Sequence, residues 1–236
     1  MCGFAGVIGN HDNPEALTNS LRAMGAALAH RGPDDSGIWQ SSDSGLGLSH
    51  QRLSVVDLRS RSRQPMVSQS GRYVIAYNGE VYNFPELRAA CEARGHVFKT
   101  LTDTETILHL YEDCGPECVH RLNGMFAFAL YDTEVERLLI VRDRRGIKPI
   151  YYFHDAAIGR FIFASEIKAI VSAVGRSRWS IDPEGLSQYL RFENLFGARS
   201  LFEDIRMQEP GKFHQFERAG LRIGTFSSVE YPMRPT

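Results

Sequence analysis

The chain begins Met-Cys-Gly-Phe-Ala-Gly-Val-Ile-Gly at residues 1–9, and the interpretation of the whole sequence depends on this stretch. Residues 3–8 are small and apolar, which predicts a buried strand. Removal of Met1 would leave Cys2 with both a thiol and a free α-amine. Their ordinary pKa values are close, so the amine can accept the thiol proton near neutral pH. Cys2 is therefore either an N-terminal nucleophile that carries its own base or a small buried side chain.

Composition restricts the possible classes of function. A chain of 236 residues suits one large domain, or one domain with a tail. The net charge of −1 comes from 27 basic and 28 acidic residues, which gives no electrostatic reason to expect nucleic acid or an anionic membrane as a partner. No apolar run approaches the ~20 residues needed to span a bilayer, and the N-terminus lacks the features of a secretory signal. We expect a cytoplasmic protein.

The cysteines do not predict a disulfide framework or a metal site. Four cysteines are too few and too scattered for a disulfide scaffold in a chain of this length. Cys114, Cys118 and His120 lie close together in sequence, but their spacing fits none of the strong zinc patterns. We therefore predict no metal and interpret the two thiols as groups at a helix end.

The order of helical and strand patterns predicts an α+β layered domain. Pro14 opens a helix whose apolar residues, Leu17, Leu21, Met24 and Leu28, recur at helical spacing. Further helices are predicted at 85–94, 101–115, 165–174 and from residue 182. Strands are predicted at 37–40, 46–52, 53–58, 73–77, 80–82, 125–131, 138–142, 151–153, 160–164, 212–216 and 221–223. Short strands joined by hairpins, with helices between them, indicate antiparallel sheets covered by helices.

Asn78 and Gly79 allow two interpretations. Asn-Gly between β-forming residues favours a type I′ hairpin turn. Alternatively, the Asn78 amide and the Gly79 backbone N–H are two donors that point at a substrate oxygen, as an oxyanion hole requires.

Two charged residues are similarly ambiguous. Arg52 stands among apolar neighbours, where it is either solvated or able to form two hydrogen bonds with a carboxylate. Thr102 and Glu105 fit a capping box, so Asp103 either favours the helix dipole or meets a substrate ammonium. The basic run from Arg142 to Pro149 is too short to predict nucleic-acid binding and indicates a loop that holds internal ion pairs.

An ordered set of motifs resembles one family. The motifs are Cys2-Gly3, Arg31-Gly32-Pro33-Asp34, Arg52 to Leu58, Gln64-Pro65-Met66, Asn78-Gly79-Glu80, Thr102-Asp103-Thr104-Glu105, Leu122 to Ala127, Arg142 to Pro149 and Ser165-Glu166-Ile167-Lys168. Together they resemble the glutaminase half of glutamine-dependent asparagine synthetases, a class II glutamine amidotransferase of the N-terminal-nucleophile hydrolase superfamily. The resemblance runs from Cys2 to about Gly211. It implies a four-layer αββα sandwich over residues 2–211, with residues 212–236 as a tail where a synthetase domain would follow.

The resemblance also implies a role for each candidate residue. Cys2 would attack the side-chain amide of glutamine, and Asn78 and Gly79 would hold the oxyanion. Arg52 would bind the α-carboxylate of the substrate. Asp103, together with Glu80, would take the α-ammonium. Backbone groups of a neighbouring segment would line the same pocket: Leu53, Ser54, Val55 and Val56.

The family implies partners as well as site residues. The resemblance implies that the glutaminase domain needs no cofactor and that ATP and Mg²⁺ are expected only in the synthetase domain. No stretch of this sequence resembles the Ser-Gly-Gly-rich loop of that synthetase domain. L-Glutamine is the expected substrate, and the ammonia would pass to an ATP-dependent synthetase domain or to a separate synthetase protein. A homodimer is compatible with the family, and the acceptor is aspartate or another carboxylate. Two alternatives stay open: a silent module that binds glutamine or a partner, which retention of Met1 would favour, and an amidohydrolase that acts on another amide.

Overall fold

The computed structural model describes residues 1–9, 14–42, 45–54, 60–175, 178–217 and 220–227. Short 3-10 turns occur at Ala29–Arg31, Ser60–Ser62 and Gly115–Arg121. The strands and helices, in chain order, are β1 (Gly3–Ile8), α1 (Pro14–Leu28), β2 (Asp35–Gln40), β3 (Gly47–Arg52), β4 (Met66–Val67), β5 (Tyr73–Val81), α2 (Phe84–Glu92), α3 (Asp103–Cys114), β6 (Gly124–Asp132), β7 (Arg137–Arg142), β8 (Tyr151–Asp155), β9 (Arg160–Ala164), α4 (Ile167–Val174), α5 (Pro183–Phe192), β10 (Ile205–Met207), β11 (Lys212–Glu217) and β12 (Gly220–Thr225).

These strands form two antiparallel sheets. The first has the order β10-β8-β9-β1-β3-β2, and the second has the order β12-β11-β7-β6-β5-β4. β1 lies inside the first sheet, where it pairs with β3 on one side and β9 on the other. The residue before β1, Cys2, therefore lies at the end of a central strand that neighbours hold on both sides.

Three apolar clusters separate the layers. The cluster between the sheets contains Phe4 and Leu48 of the first sheet and Val74 and Ala76 of the second. Alternate residues of β5, such as Ile75, pack on the other side of that sheet against α2 and α3. A third cluster packs α1 and α4 on the outer face of the first sheet. The layers are thus helix, sheet, sheet and helix, which confirms the predicted αββα sandwich.

Most predicted elements are present, with two differences. The four apolar residues predicted to form one face of α1 are all buried. Asn78 and Gly79, however, do not form a hairpin turn, because β5 continues through both and pairs with β6 from Tyr73 to Val81. Extended pairing along the whole strand overrides the local preference of Asn-Gly for a turn. Of the strand predicted at 53–58, residues 53 and 54 are not strand, and residues 55–59 lie outside the described ranges.

The residues after Gly211 contribute to the second sheet. β11 pairs with β7 and with β12, so both strands predicted in this region are present. The domain boundary at residue 211 stays a prediction, and the strands on its C-terminal side are part of the sheet. Residues 228–236 lie outside the described ranges.

The loop from Arg142 to Pro149 is held mainly by hydrogen bonds to the main chain. The guanidinium of Arg142 donates to the carbonyls of Lys148 (3.1 Å) and Gly146 (2.6 Å). The buried carboxylate of Asp143 accepts from several main-chain amides, including that of Phe126 at 3.2 Å. The sequence predicted internal ion pairs in this loop, but its charged side chains bond to main-chain carbonyls and amides instead. Among the described helices, none combines the length and apolar character needed to cross a membrane.

Candidate active site

A cavity of about 240 Å³ opens where the ends of β1, β3, β5 and α3 converge. Its wall contains Cys2, Arg52, Leu53, Asn78, Gly79, Glu80 and Asp103, which are residues predicted from sequence to act together. The remaining lining residues are Met1, Ser62, Gln64, Tyr77, Thr102, Thr104, Met125 and Lys148. Residues up to 147 positions apart in the chain, Met1 and Lys148, thus share one small cavity.

Cys2 is fixed through its main chain and its sulfur. The amide N of Leu53 donates to the Cys2 Sγ at 3.4 Å, and the thiol donates to the Leu53 carbonyl at 3.6 Å. Arg31 Nε donates to the Cys2 carbonyl at 2.9 Å, and Arg31 Nη1 pairs with Glu166 at 2.9 Å. A Cβ on Gly3 would lie 2.9 Å from Arg31 Cδ, so the absence of a side chain at this position lets the arginine reach Cys2.

Asn78 is a buried amide on β5 that faces the cavity. It is 2% exposed, and its Nδ2 meets no hydrogen-bond partner within the described part of the chain. An unsatisfied buried donor costs about 1–3 kcal/mol. Such a donor is suited to an oxygen that arrives with a substrate. Gly79 beside it has no room for a side chain, because an added Cβ would lie 2.7 Å from Phe126 Cα.

Arg52 ends β3 and lines the same cavity with only 6% of its surface exposed. Leu53 lines the cavity as predicted. Ser54 is outside the cavity lining, and its amide donates to Asp34 Oδ2 at 2.7 Å. Val55 and Val56 lie outside the described residues.

Asp103 is the first residue of α3, where Thr102 is the N-cap and its Oγ1 accepts from the Glu105 amide at 3.4 Å. Asp103 Oδ2 accepts from the Tyr77 hydroxyl and from the Val81 amide (2.9 Å). Burial raises the pKa of Asp103, although these hydrogen bonds oppose the shift. Glu80 lines the cavity from a solvent-exposed position. Glu105 does not return a bond to Thr102 as in a capping box; it accepts from the amides of Lys99 and Thr100 at 2.8 and 2.7 Å.

Sequence reasoning missed the residues that support the predicted ones. Tyr77 connects to Asp103 through its hydroxyl, and its amide donates to Gln64 Oε1 at 2.7 Å. Burial, followed by the charge of Asp103, raises the pKa of Tyr77 well above its ordinary value, so its proton stays available for Asp103. An apolar-looking strand residue gives no sequence signal for this role. Arg31 did lie within a quoted motif, but only the contact with Cys2 shows what it does.

His50 connects the two sheets beneath the cavity. It is fully buried on β3, and its Nε2 lies 2.9 Å from the Tyr77 carbonyl of β5. Because a carbonyl only accepts, Nε2 carries the proton. Burial lowers the pKa of His50 to about 4, with the charge of Arg52 contributing in the same direction. His50 is therefore a neutral structural donor near neutral pH.

Cys2 lies at the end of a central strand in a sandwich of two antiparallel sheets, which is the placement predicted for an N-terminal nucleophile. The family described as "Glutamine amidotransferase domain" matches residues 1–227. The chain belongs to this family.

Individual relatives agree with the family. The chain is 36% identical over 239 residues to asparagine synthetase [glutamine-hydrolyzing] 3 of Bacillus subtilis (strain 168), covering 98% of this chain and 37% of that protein. It is 41% identical over 199 residues to asparagine synthetase B [glutamine-hydrolyzing] of Escherichia coli (strain K12), covering 81% of this chain and 35% of that protein. The chain thus spans about a third of the length of these curated relatives.

Solved structures agree with the fold. The glutamine phosphoribosylpyrophosphate amidotransferase from B. subtilis, complexed with ADP and GMP, superposes with a TM-score of 0.68 at 20% identity. That match covers 97% of this chain and 50% of the other chain. A structure titled as the allosteric regulatory enzyme of purine biosynthesis has a TM-score of 0.69 at 19% identity. At such identities the likeness establishes the fold alone.

Proposed function

We propose that this chain, after loss of Met1, hydrolyses L-glutamine to glutamate and ammonia through a thioester on Cys2. The observation that carries the proposal is the buried, unpartnered Nδ2 of Asn78 in the same cavity as the Cys2 thiol. A module that only binds glutamine would use the same donor, so turnover at Cys2 is the property that separates the two functions.

The charges in the cavity favour a free amino acid as substrate. Arg52 can bind an α-carboxylate with two parallel hydrogen bonds, while Asp103 can accept from an α-ammonium. The cavity of about 240 Å³ is smaller than the about 300–1,000 Å³ typical of sites for drug-sized ligands. Its size and its two opposite charges therefore suit glutamine better than a long acyl amide.

The chemistry follows from the two groups of Cys2. With Met1 removed, the α-amine takes the thiol proton and the sulfur attacks the amide carbon of glutamine. Asn78 Nδ2 and the Gly79 N–H stabilise the oxyanion. The C–N bond then breaks, and the protonated amine gives its proton to the leaving nitrogen, which departs as ammonia. Water gives a proton to the free α-amine as its oxygen attacks the thioester carbon. The C–S bond then breaks, the departing sulfur takes that proton and becomes the thiol again, and glutamate leaves.

The use of the ammonia is a further part of the proposal. The matched relatives are named asparagine synthetases, and two thirds of their length lies outside the match. We therefore propose that the ammonia reaches an ATP-dependent synthetase unit, joined to this domain or separate from it, that amidates aspartate or another carboxylate. The glutaminase step itself uses only groups of this chain and needs no cofactor. The proposed setting is the cytoplasm.

The test is a covalent label on protein that has lost Met1. An electrophilic glutamine analogue should add one adduct mass, located on Cys2, and glutamine should yield glutamate and ammonia. Cys2→Ala should lose both results. Cys114→Ser is the matched control, because Cys114 is another free and partly buried cysteine, and this variant should keep both. Absence of an adduct on processed, folded protein would overturn the proposal.

Substrate class is tested at Arg52. Arg52→Ala should weaken glutamine binding strongly if the α-carboxylate is bound there. An amide substrate that lacks this carboxylate would be hydrolysed equally well by the variant and the parent, and that outcome would favour an amidohydrolase of other specificity.

A further inference from the structure

Three potential metal ligands meet at the outer end of α3, away from the residues that line the cavity. His109 and Glu112 lie one helical turn apart on α3, and His96 reaches them from the turn that follows α2. One candidate ligand atom from each side chain lies within 4.8 Å of the others. We propose that His96, His109 and Glu112 bind a divalent transition-metal ion such as zinc. This proposal is independent of the proposed glutaminase activity.

The distances suit a compact ion. Glu112 Oε2 lies 2.7 Å from His109 Nδ1 and 3.4 Å from His96 Nδ1. Ligand atoms at about 2.0–2.2 Å from a tetrahedral zinc lie about 3.3–3.6 Å apart. One of the two separations already fits, and the other needs only a small opening of the side chains. The ion would replace the proton that His109 and Glu112 share.

The second ring nitrogen of each histidine faces a carboxylate. His96 Nε2 donates to Asp113 Oδ1 at 2.7 Å, which leaves its Nδ1 as a lone pair for a metal. His109 Nε2 lies 4.0 Å from Glu105 Oε1 and is buried, with no hydrogen-bond partner among the residues described. Histidines that bind metals almost always donate a hydrogen bond from the other nitrogen, which fixes the tautomer and raises ligand basicity. His96 has such a partner in Asp113, whereas His109 Nε2 would have to move closer to Glu105 to gain one.

The surroundings also favour a cation. Three carboxylates surround the cluster: those of Glu105, Glu112 and Asp113. The guanidinium of Arg94 pairs with Asp113 and offsets only one of these negative charges. The aromatic ring of Phe98 packs against His109 with centroids 4.6 Å apart and shields one side of the cluster. Two imidazoles and one carboxylate form a donor set that zinc uses when it keeps an open fourth position.

The consequence of binding would be structural. His96 belongs to the segment that leads from α2 into Thr102 and Asp103, so a metal would fasten this segment to the helix that follows it. The sequence gives no spacing signal for the site, because His96 lies 13 residues before His109 and only the return of the chain brings them together.

Direct zinc titration tests the site. The full-length chain carrying Cys2→Ala, which removes the thiol next to the N-terminus, is titrated with Zn²⁺ against a chromogenic chelator. We expect one ion per chain. Asp113→Asn removes the supporting partner of His96 and should weaken zinc binding by about 10- to 100-fold. His96→Gln and Glu112→Gln each remove a ligand and should weaken zinc binding by at least as much. Co²⁺ in place of Zn²⁺ should give visible absorption without a thiolate charge-transfer band.

His120→Gln is the matched control. His120 faces Glu117 at 3.5 Å in the same i, i+3 relation but is half exposed. The His120→Gln protein should therefore bind zinc as tightly as the parent does. Saturating zinc should raise the Tm of the parent and of this control but not that of His96→Gln. Circular dichroism establishes that each variant is folded. If His96→Gln does not fold, the comparison is made with Glu112→Gln instead. No zinc binding by the parent, or equal binding by the folded ligand variants, would overturn the proposal.

Discussion

Asn78 is the residue at which stability and activity should separate most clearly. Its amide is buried without a partner, so Asn78→Ala removes an unsatisfied group and should lower the Tm only slightly. Loss of one oxyanion donor should lower the kcat for glutamine hydrolysis by about 100- to 1,000-fold. KM should change little. Steady-state kinetics and thermal unfolding measure both effects, and Asn194→Ala, at an exposed position, is the control that should leave kcat intact.

Asp103 should bind the substrate ammonium, but its buried carboxylate lowers the stability of the free protein near neutral pH. Burial raises its pKa above that of an unfolded aspartate, so the folded protein holds this proton more tightly, and stability falls as the pH rises through the shifted pKa. Asp103→Asn should therefore be at least as stable as the parent near neutral pH. The loss of a hydrogen bond to a charged group should raise the KM for glutamine by about 10- to 150-fold.

The control for this variant is Asp204→Asn, which changes an exposed carboxylate. It should alter neither KM nor Tm. An unchanged KM in Asp103→Asn would mean that the ammonium binds elsewhere, Glu80 being the next carboxylate in the cavity wall.

At this scale, sequence could identify candidates but not their partners. The ordered motifs gave Cys2, Arg52, Asn78 and Asp103, and the fold brings all four to one cavity. Tyr77 could not be assigned, because a tyrosine in an apolar strand has the same pattern whether its hydroxyl meets solvent or a buried carboxylate. Only the return of α3 to β5 decides between these possibilities.

Among the elements, α3 depends on its first residues. Thr102 caps the helix and also exchanges a hydrogen bond of 2.9 Å with Thr100, so it fixes both the start of α3 and the approach to it. Thr102→Val should lower the free energy of unfolding by about 0.5–2 kcal/mol through loss of the cap. Thr102→Ser keeps the hydroxyl and should retain most of the stability. Chemical denaturation compares the two variants, and equal losses would mean that the cap contributes nothing.

Strand and helix periodicity predicted most elements because each sheet face is clearly apolar. β5 shows where local rules fail. Asn-Gly predicts a turn, but nine residues of β5 pair with β6 without interruption. The short strands β4 and β10 carry too few residues for a periodic pattern and are fixed by pairing with longer neighbours. The order of the strands in each sheet likewise depends on pairings that no local pattern contains.

For the whole molecule, the buried histidines predict sensitivity to acid. The pKa of His50 falls to about 4 through burial, whereas an unfolded histidine has a pKa of 6.5. The unfolded chain therefore takes up the proton first, and stability is lost as the pH falls from 6.5 towards 4. The slope for one such group approaches about 1.4 kcal/mol per pH unit, and the total loss is about 3 kcal/mol. Burial also lowers the pKa of His214 to about 4, so the two effects add.

His50→Gln isolates one of these contributions. Glutamine can still donate to the Tyr77 carbonyl but does not titrate, so the free energy of unfolding should depend less steeply on pH between 6.5 and 4. Denaturant titrations at several pH values measure the slope. His120→Gln, at an exposed histidine, should retain the parental slope, and an identical slope in His50→Gln would show that the buried ring is not the group that titrates.

The contact between the Cys2 sulfur and the Leu53 main chain, with Met1 in the adjacent wall, has a practical consequence for recombinant work. Any affinity tag or fusion partner placed ahead of residue 2 would keep the Cys2 nitrogen in a peptide bond and extend into the space that the substrate needs. Protein made in that way would show no glutamine hydrolysis, even if the processed protein is active. Affinity tags should therefore be placed at the C-terminus. A methionine aminopeptidase co-expressed in the host would ensure that Met1 is removed before activity is measured.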